Sequence, residues 1–98
     1  MSDDLQKKIT DWITAYNGGT FYTGGCRPFY TPEEWEARGE DYGTESILVL
    51  VHDGGDLARF CNEDYGDYPA IDAFQVFLKS KNLYLEGCTC WYSALYSN

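Results

Sequence analysis

The sequence predicts an α+β domain: an antiparallel or mixed sheet of about four strands packed with two main helices in two layers. Three observations lead there. Five consecutive aliphatic residues, Ile47-Leu48-Val49-Leu50-Val51, stand between Ser46 and the turn-forming His52-Asp53-Gly54-Gly55. A run so short and so continuously apolar reads as a strand buried on both faces, hence the centre of a sheet. Two other stretches, around residues 5–16 and 71–78, space their apolar residues for one face of a helix. Finally, 98 residues that are 44% hydrophobic and 17% aromatic suit one domain with its own core, spanning 1–98, and are too apolar for a disordered acidic tail.

In chain order, Leu5, Ile9, Trp12, Ile13 and Tyr16 define the first helix. Ser2 can cap it, Asp3 and Asp4 oppose its positive end, and Asn17-Gly18-Gly19 supplies a left-handed stop. Thr20-Phe21-Tyr22-Thr23 is β-prone and is expected as an edge strand, with residues 24–32 as loop. Thr31 then caps a short helix over Pro32 to Arg38, with Pro32 where its missing N–H does no harm and Trp35 as its one large apolar residue. Residues 39–44 lead into the central strand. Asp53-Gly54-Gly55-Asp56 has the composition of a hairpin turn, so Leu57 to Cys61 is expected to pair back on the strand, a short helical turn being the alternative. Asn62 to Asp67 reads as acidic loop. Asp67 can cap a helix from Tyr68 to about Lys81, burying Ile71, Phe74, Phe77 and Leu78 with Ala70, Ala73 and Val76 alongside. Leu83 to Glu86 and Trp91 to Tyr96 read as two strands around a Gly87-Cys88-Thr89-Cys90 turn.

Charge is the most informative functional feature. The chain has 16 acidic residues against 7 Lys plus Arg, a net charge of -9. Residues 33–72 hold twelve of those acids, with only Arg38 and Arg59 to oppose them, a net of -10. A field of that sign repels phosphate, which argues against direct nucleic-acid or anionic-membrane binding and for a basic partner. Carboxylates mixed with tyrosines suit an Arg/Lys-rich groove. The candidate partner-binding residues are therefore Glu33, Glu34, Glu36, Glu40, Asp41, Tyr42, Glu45, Asp53, Asp56, Glu63, Asp64, Tyr65 and Asp67. The competing explanation is solubility alone, since acids keep a small aromatic-rich domain from associating.

Other chemistries find less support. Cys88 and Cys90 would share one side of an extended segment, and Cys61 or Cys26 could complete a thiolate zinc site, but the spacing lacks two Cys-x-x-Cys knuckles. The start of the chain lacks a charged and then apolar secretory signal, and no stretch reaches transmembrane length, so reduced thiols in a cytoplasmic protein are expected. His52, the sole histidine, sits at a strand end where catalytic groups often lie, and Cys26 could in principle partner it as a nucleophile, although no motif supports the pairing. Neither Asp53–Asp56 nor Asn62–Asp67 alternates oxygen ligands before a bidentate Glu, and the glycine pairs lack the spacing and Lys of a phosphate loop. The expectation is a non-enzymatic protein with no catalytic residues, no metal and no cofactor.

In size, acidity and lack of catalytic motifs the chain resembles the small phage-encoded inhibitors of bacterial defence, anti-CRISPR proteins above all. The acidic block from Glu33 to Asp72 carries the likeness, with the compact ending Gly87 to Tyr96. Such proteins share no common fold, so the likeness is one of overall character. It implies a protein that acts in the host-cell cytoplasm, binds a CRISPR effector complex and blocks its DNA or RNA path, with carboxylates standing in for phosphates. The chain is similar in the same way to acidic immunity proteins and antitoxins that plug a basic nuclease site. A thiol- or zinc-dependent module using Cys26, Cys61, Cys88 and Cys90 is the alternative from another class.

Overall fold

A computed structural model describes residues 2–25, 27–53, 55–89 and 91–97, except for the Ser2 side chain. Its elements are α1 (Ser2–Tyr16), β1 (Phe29–Tyr30), α2 (Pro32–Ala37), β2 (Leu48–Val51), α3 (Leu57–Cys61), a 3-10 turn (Glu63–Tyr65), α4 (Tyr68–Lys79), β3 (Leu83–Gly87) and β4 (Tyr92–Ser97). The strands form one antiparallel sheet in the order β1-β2-β4-β3. The fold is α+β, as the sequence predicts. No helix among the described residues is long and apolar enough to cross a membrane.

Strand β2 is interior and all four of its residues are buried, which accounts for its unbroken apolar run. Alternation sends Leu48 and Leu50 to one face of the sheet and Val49 and Val51 to the other. The first face carries the main core, where Ile9 and Ile13 of α1, Leu57 and Phe60 of α3, and Phe74 and Leu78 of α4 meet Leu48, Leu50 and Leu95. Each such side chain, fully buried, contributes about 1.5–3 kcal/mol relative to exposure. Trp12 links the three helices, its ring 5.7 Å from Phe60, 5.6 Å from Phe74 and 5.1 Å from Phe77. Of the described helices only α2 covers the second face, through Trp35, which packs on Val49, Val51 and Tyr92. The two-layer arrangement therefore has a small third cover.

Local signals explain the helix limits. Thr31 and Glu34 form a reciprocal capping box at α2, and Asp67 accepts from the Ala70 N–H at α4. At the end of α1, the Gly18 and Gly19 N–H groups donate to Ala15 and Thr14 carbonyls, with both glycines at positive φ. The expected Ser2 cap lies outside the described side chains.

Several expectations need correction. Thr20 to Thr23 is not a strand, because its backbone bonds to a loop: the Tyr22 carbonyl accepts from the Asp56 N–H at 2.7 Å, and the Tyr22 N–H donates to the Asp56 carboxylate at 2.7 Å. The edge strand is instead Phe29–Tyr30, inside the stretch expected to be loop, where Phe29 pairs with Leu50 and Tyr30 with Val49. Leu57 to Cys61 takes the alternative, a short helix, and not the returning strand, since β4 occupies the sheet position that a hairpin from β2 would have filled. The central strand begins at Leu48; Ile47 is half-exposed, although its N–H still donates to the Leu95 carbonyl. Helix α4 ends at Lys79, and Val76 faces outward at 70% exposure. The Asn62 to Asp67 loop includes the 3-10 turn, closed by Gly66 at φ 74°.

Candidate functional site

The sheet divides the predicted acidic residues between its two faces. Glu33 and Glu36 lie exposed on α2, and Asp41, Tyr42 and Glu45 lie exposed on the segment that follows it. That segment stays on the α2 side, because Gly43 sits where a Cβ would be 3.5 Å from both Val49 Cγ2 and Ala94 Cβ. Glu63, Asp64, Tyr65 and Asp67 belong instead to the connection between α3 and α4, on the opposite face. The contiguous block is thus two separate groups.

Part of the acidity is also committed to structure. Arg27 donates to both Glu34 carboxylate oxygens at 2.6 Å and stacks over the Tyr30 ring. That guanidinium, helped by the Thr31 N–H, holds the Glu34 carboxyl at a pKa of about 2. Arg38 pairs with Glu40 at 3.5 Å. Arg59 pairs with Asp67, donates to Asn17 Oδ1 and lies over the Tyr16 and Phe60 rings; its bond lowers the Asp67 pKa. Asp56 is bound to the Tyr22 N–H and the Asn17 amide. Glu33, Glu36, Asp41, Glu45, Glu63 and Asp64 form no ion pair among the described residues.

Beside the α2 group lies a groove of about 520 Å³. The starts of α1, α2 and β2 meet there, with Leu5, Pro32 and Ile47 as its apolar walls and the carboxylates of Asp4 and Glu33 among its lining. Tyr42, 61% exposed, adds a large aromatic to this side of the molecule. Asp4 is paired with Lys8 at 3.1 Å, whereas Glu33 has no ion pair among the described residues, and an apolar groove beside such an acid matches the anatomy of a surface that accepts a basic, partly apolar partner.

A second concavity, of about 330 Å³, lies on the opposite face between the β2–β4 end of the sheet and the α3–α4 connection. His52, only 3% exposed, forms part of its wall with Ser93, 1% exposed, and His52 Nε2 lies 3.0 Å from Ser93 Oγ. Burial lowers the His52 pKa, with smaller opposing effects from its own backbone and from Asp53, so the ring is neutral near pH 7. Nδ1 is buried and has no hydrogen-bond partner among the described residues. The position of His52 at a strand end is legible in the sequence. Ser93 is not, because only the β2–β4 register, with Leu50 opposite Ser93, brings the two together.

Cys61 and Cys88, both free thiols, are among the residues lining this cavity, although the Cys88 side chain packs toward the Trp35 cluster on the α2 side; burial raises both pKa values, which keeps them protonated and weakly nucleophilic. Cys26 and Cys90 lie outside the described residues, and so do the zinc and Cys26-nucleophile alternatives that need them. Among the described residues no group of three or more His, Cys, Asp or Glu side chains is placed to hold a metal ion. Compared with protein-family models, curated proteins and solved structures, the chain matches none.

Proposed function

We propose that this protein is a non-enzymatic binding protein whose acidic α2 side docks on a basic, nucleic-acid-binding surface of another protein, in the manner of an anti-CRISPR inhibitor. The observation that carries the reading is the apolar groove with Asp4 and Glu33 in its lining, together with the exposed, unpaired Glu36, Asp41 and Glu45 and the exposed Tyr42. Carboxylates speed encounter with a basic surface, while the apolar walls and the tyrosine provide the contacts that hold it. Compared with the sequence expectation, the docking set is narrower: Glu34, Glu40, Asp56 and Asp67 serve internal bonds, and Glu63, Asp64 and Tyr65 face away.

The test is the association rate with candidate CRISPR effector complexes and basic nucleases, at low and physiological salt. Changing Glu33, Glu36, Asp41 and Glu45 together to Lys should slow association at low salt at least about tenfold, because steering by opposite charge accounts for that range or more. Glu63→Lys with Asp64→Lys, on the opposite face, should change it less than about twofold. Equal rates for the wild type and the fourfold variant would refute the proposal. A nuclease as the tightest partner would make the protein an immunity-type inhibitor acting through the same surface.

A further inference from the structure

The cavity at His52 has a lining that the docking surface does not use. It is a half-open concavity bounded by elements of the other sheet face, and Glu63, exposed on the 3-10 turn, is the one charged residue lining it among the described residues. Among the described residues no Lys or Arg lines it. Gln75, Thr89 and Ser93 offer hydrogen-bonding groups, and Ile71 and Leu85 offer aliphatic surface. An anion would meet carboxylate and no counter-charge, whereas a wholly apolar ligand would strip water from these polar groups without replacing its bonds.

We propose that this cavity is a binding site for a small organic cation, an alkyl-guanidinium or alkyl-ammonium group, with Glu63 as its counter-ion and the stem lying on Ile71 and Leu85. The two buried polar side chains in the wall, His52 and Ser93, give the site a fixed polar surface, since each holds the other at 3.0 Å. His52 is neutral there and so does not repel the incoming charge, and Asp53 beside it adds negative potential. The volume of about 330 Å³ sits at the small end of ligand sites and holds one alkyl-guanidinium without requiring the helices to separate. The cation can be a free metabolite amine or the side chain of an arginine in a peptide, because both present the same chemistry. The site is independent of the α2 docking surface.

His52 is the only histidine in the chain, so its ring protons are a single resolved reporter inside the cavity wall. Proton NMR of the intact protein is followed during titration with agmatine, with the peptide acetyl-Gly-Arg-Gly-amide, and with butylurea as a neutral analogue. The His52 ring signals should move and saturate with agmatine or the peptide, at a dissociation constant near 1 mM, where about 4 kcal/mol of binding is available. The tighter of the two identifies the source of the cation. Glu63→Gln should weaken the same titration about tenfold, the loss expected for a charge-assisted bond, and Asp41→Asn should leave it unchanged. No shift with either cation overturns the proposal. An equal shift with butylurea, or one that Glu63→Gln leaves intact, overturns the role of charge. Since no partner protein enters the experiment, its failure says nothing about docking through α2.

Discussion

Ser93 Oγ lies 3.0 Å from His52 Nε2, although the two residues are separated by 41 positions in the chain. With Nδ1 already unpartnered, the pair leaves little tolerance for loss. Ser93→Ala should destabilise the protein by about 1–3 kcal/mol, the cost of stranding a buried polar group. Chemical denaturation measures it, and a change below about 0.5 kcal/mol would show that water satisfies the ring.

The same histidine should give the stability curve a defined slope. Its pKa in the fold is below the ordinary 6.5, so below pH 6.5 the unfolded chain binds a proton that the folded chain resists. Stability should therefore fall as pH drops from 6.5 toward the folded pKa, then level off for this group. His52→Asn should remove that segment of the slope. NMR titration of the ring provides the folded value directly, and a midpoint at or above 6.5 would contradict the burial argument.

Glu34 acts at more acid pH. Its folded pKa is lowered from 4.5 to about 2 by Arg27 and by the Thr31 N–H. The stabilisation it gives is complete above pH 4.5 and is lost as pH falls from there toward 2. Glu34→Gln should flatten the acid limb across that window and leave the curve near pH 7 parallel to the wild type. An unchanged acid limb would mean that the Arg27 pair exchanges freely with solvent.

Gly55 packs against the segment that failed to become a strand. A Cβ there would lie 2.6 Å from the Thr23 carbonyl carbon and 2.7 Å from its oxygen, so main chain must move to admit it. Gly55→Ala should cost about 1–3 kcal/mol, as overpacking does elsewhere. Gly39→Ala, with no atom within 4 Å of its would-be Cβ, carries only the strain of its positive φ and should cost less.

Much of the fold was legible where neighbouring residues decide the structure. The apolar spacing of Leu5 to Tyr16, the Thr31-Pro32-Glu33-Glu34 start, the Asp67 cap and the aliphatic run around Val49 all act within a few residues. Thr20 to Thr23 and Leu57 to Cys61 misled because strand preference depends on an available partner edge, and β4 had taken the free side of β2. Phe29 and Tyr30 were hidden because two paired residues make no pattern. The acidic residues were identifiable by type but not by place: nothing in their order reveals that the sheet separates Glu33–Glu45 from Glu63–Asp67. Likewise His52 is visible alone, whereas its cavity needs Glu63, Gln75 and Thr89 brought together from three further segments.

The position of β4 carries a consequence for biosynthesis. It lies between β2 and β3 and pairs with both, so β2 has only the two-residue β1 beside it until residues 92–97 leave the ribosome. Until then the nascent chain holds an apolar strand with one open edge. Helices α1, α3 and α4 can collapse around Trp12 and screen one side of that strand, whereas the β2–β4 pairing joins residues far apart in the chain, the kind of contact that slows folding.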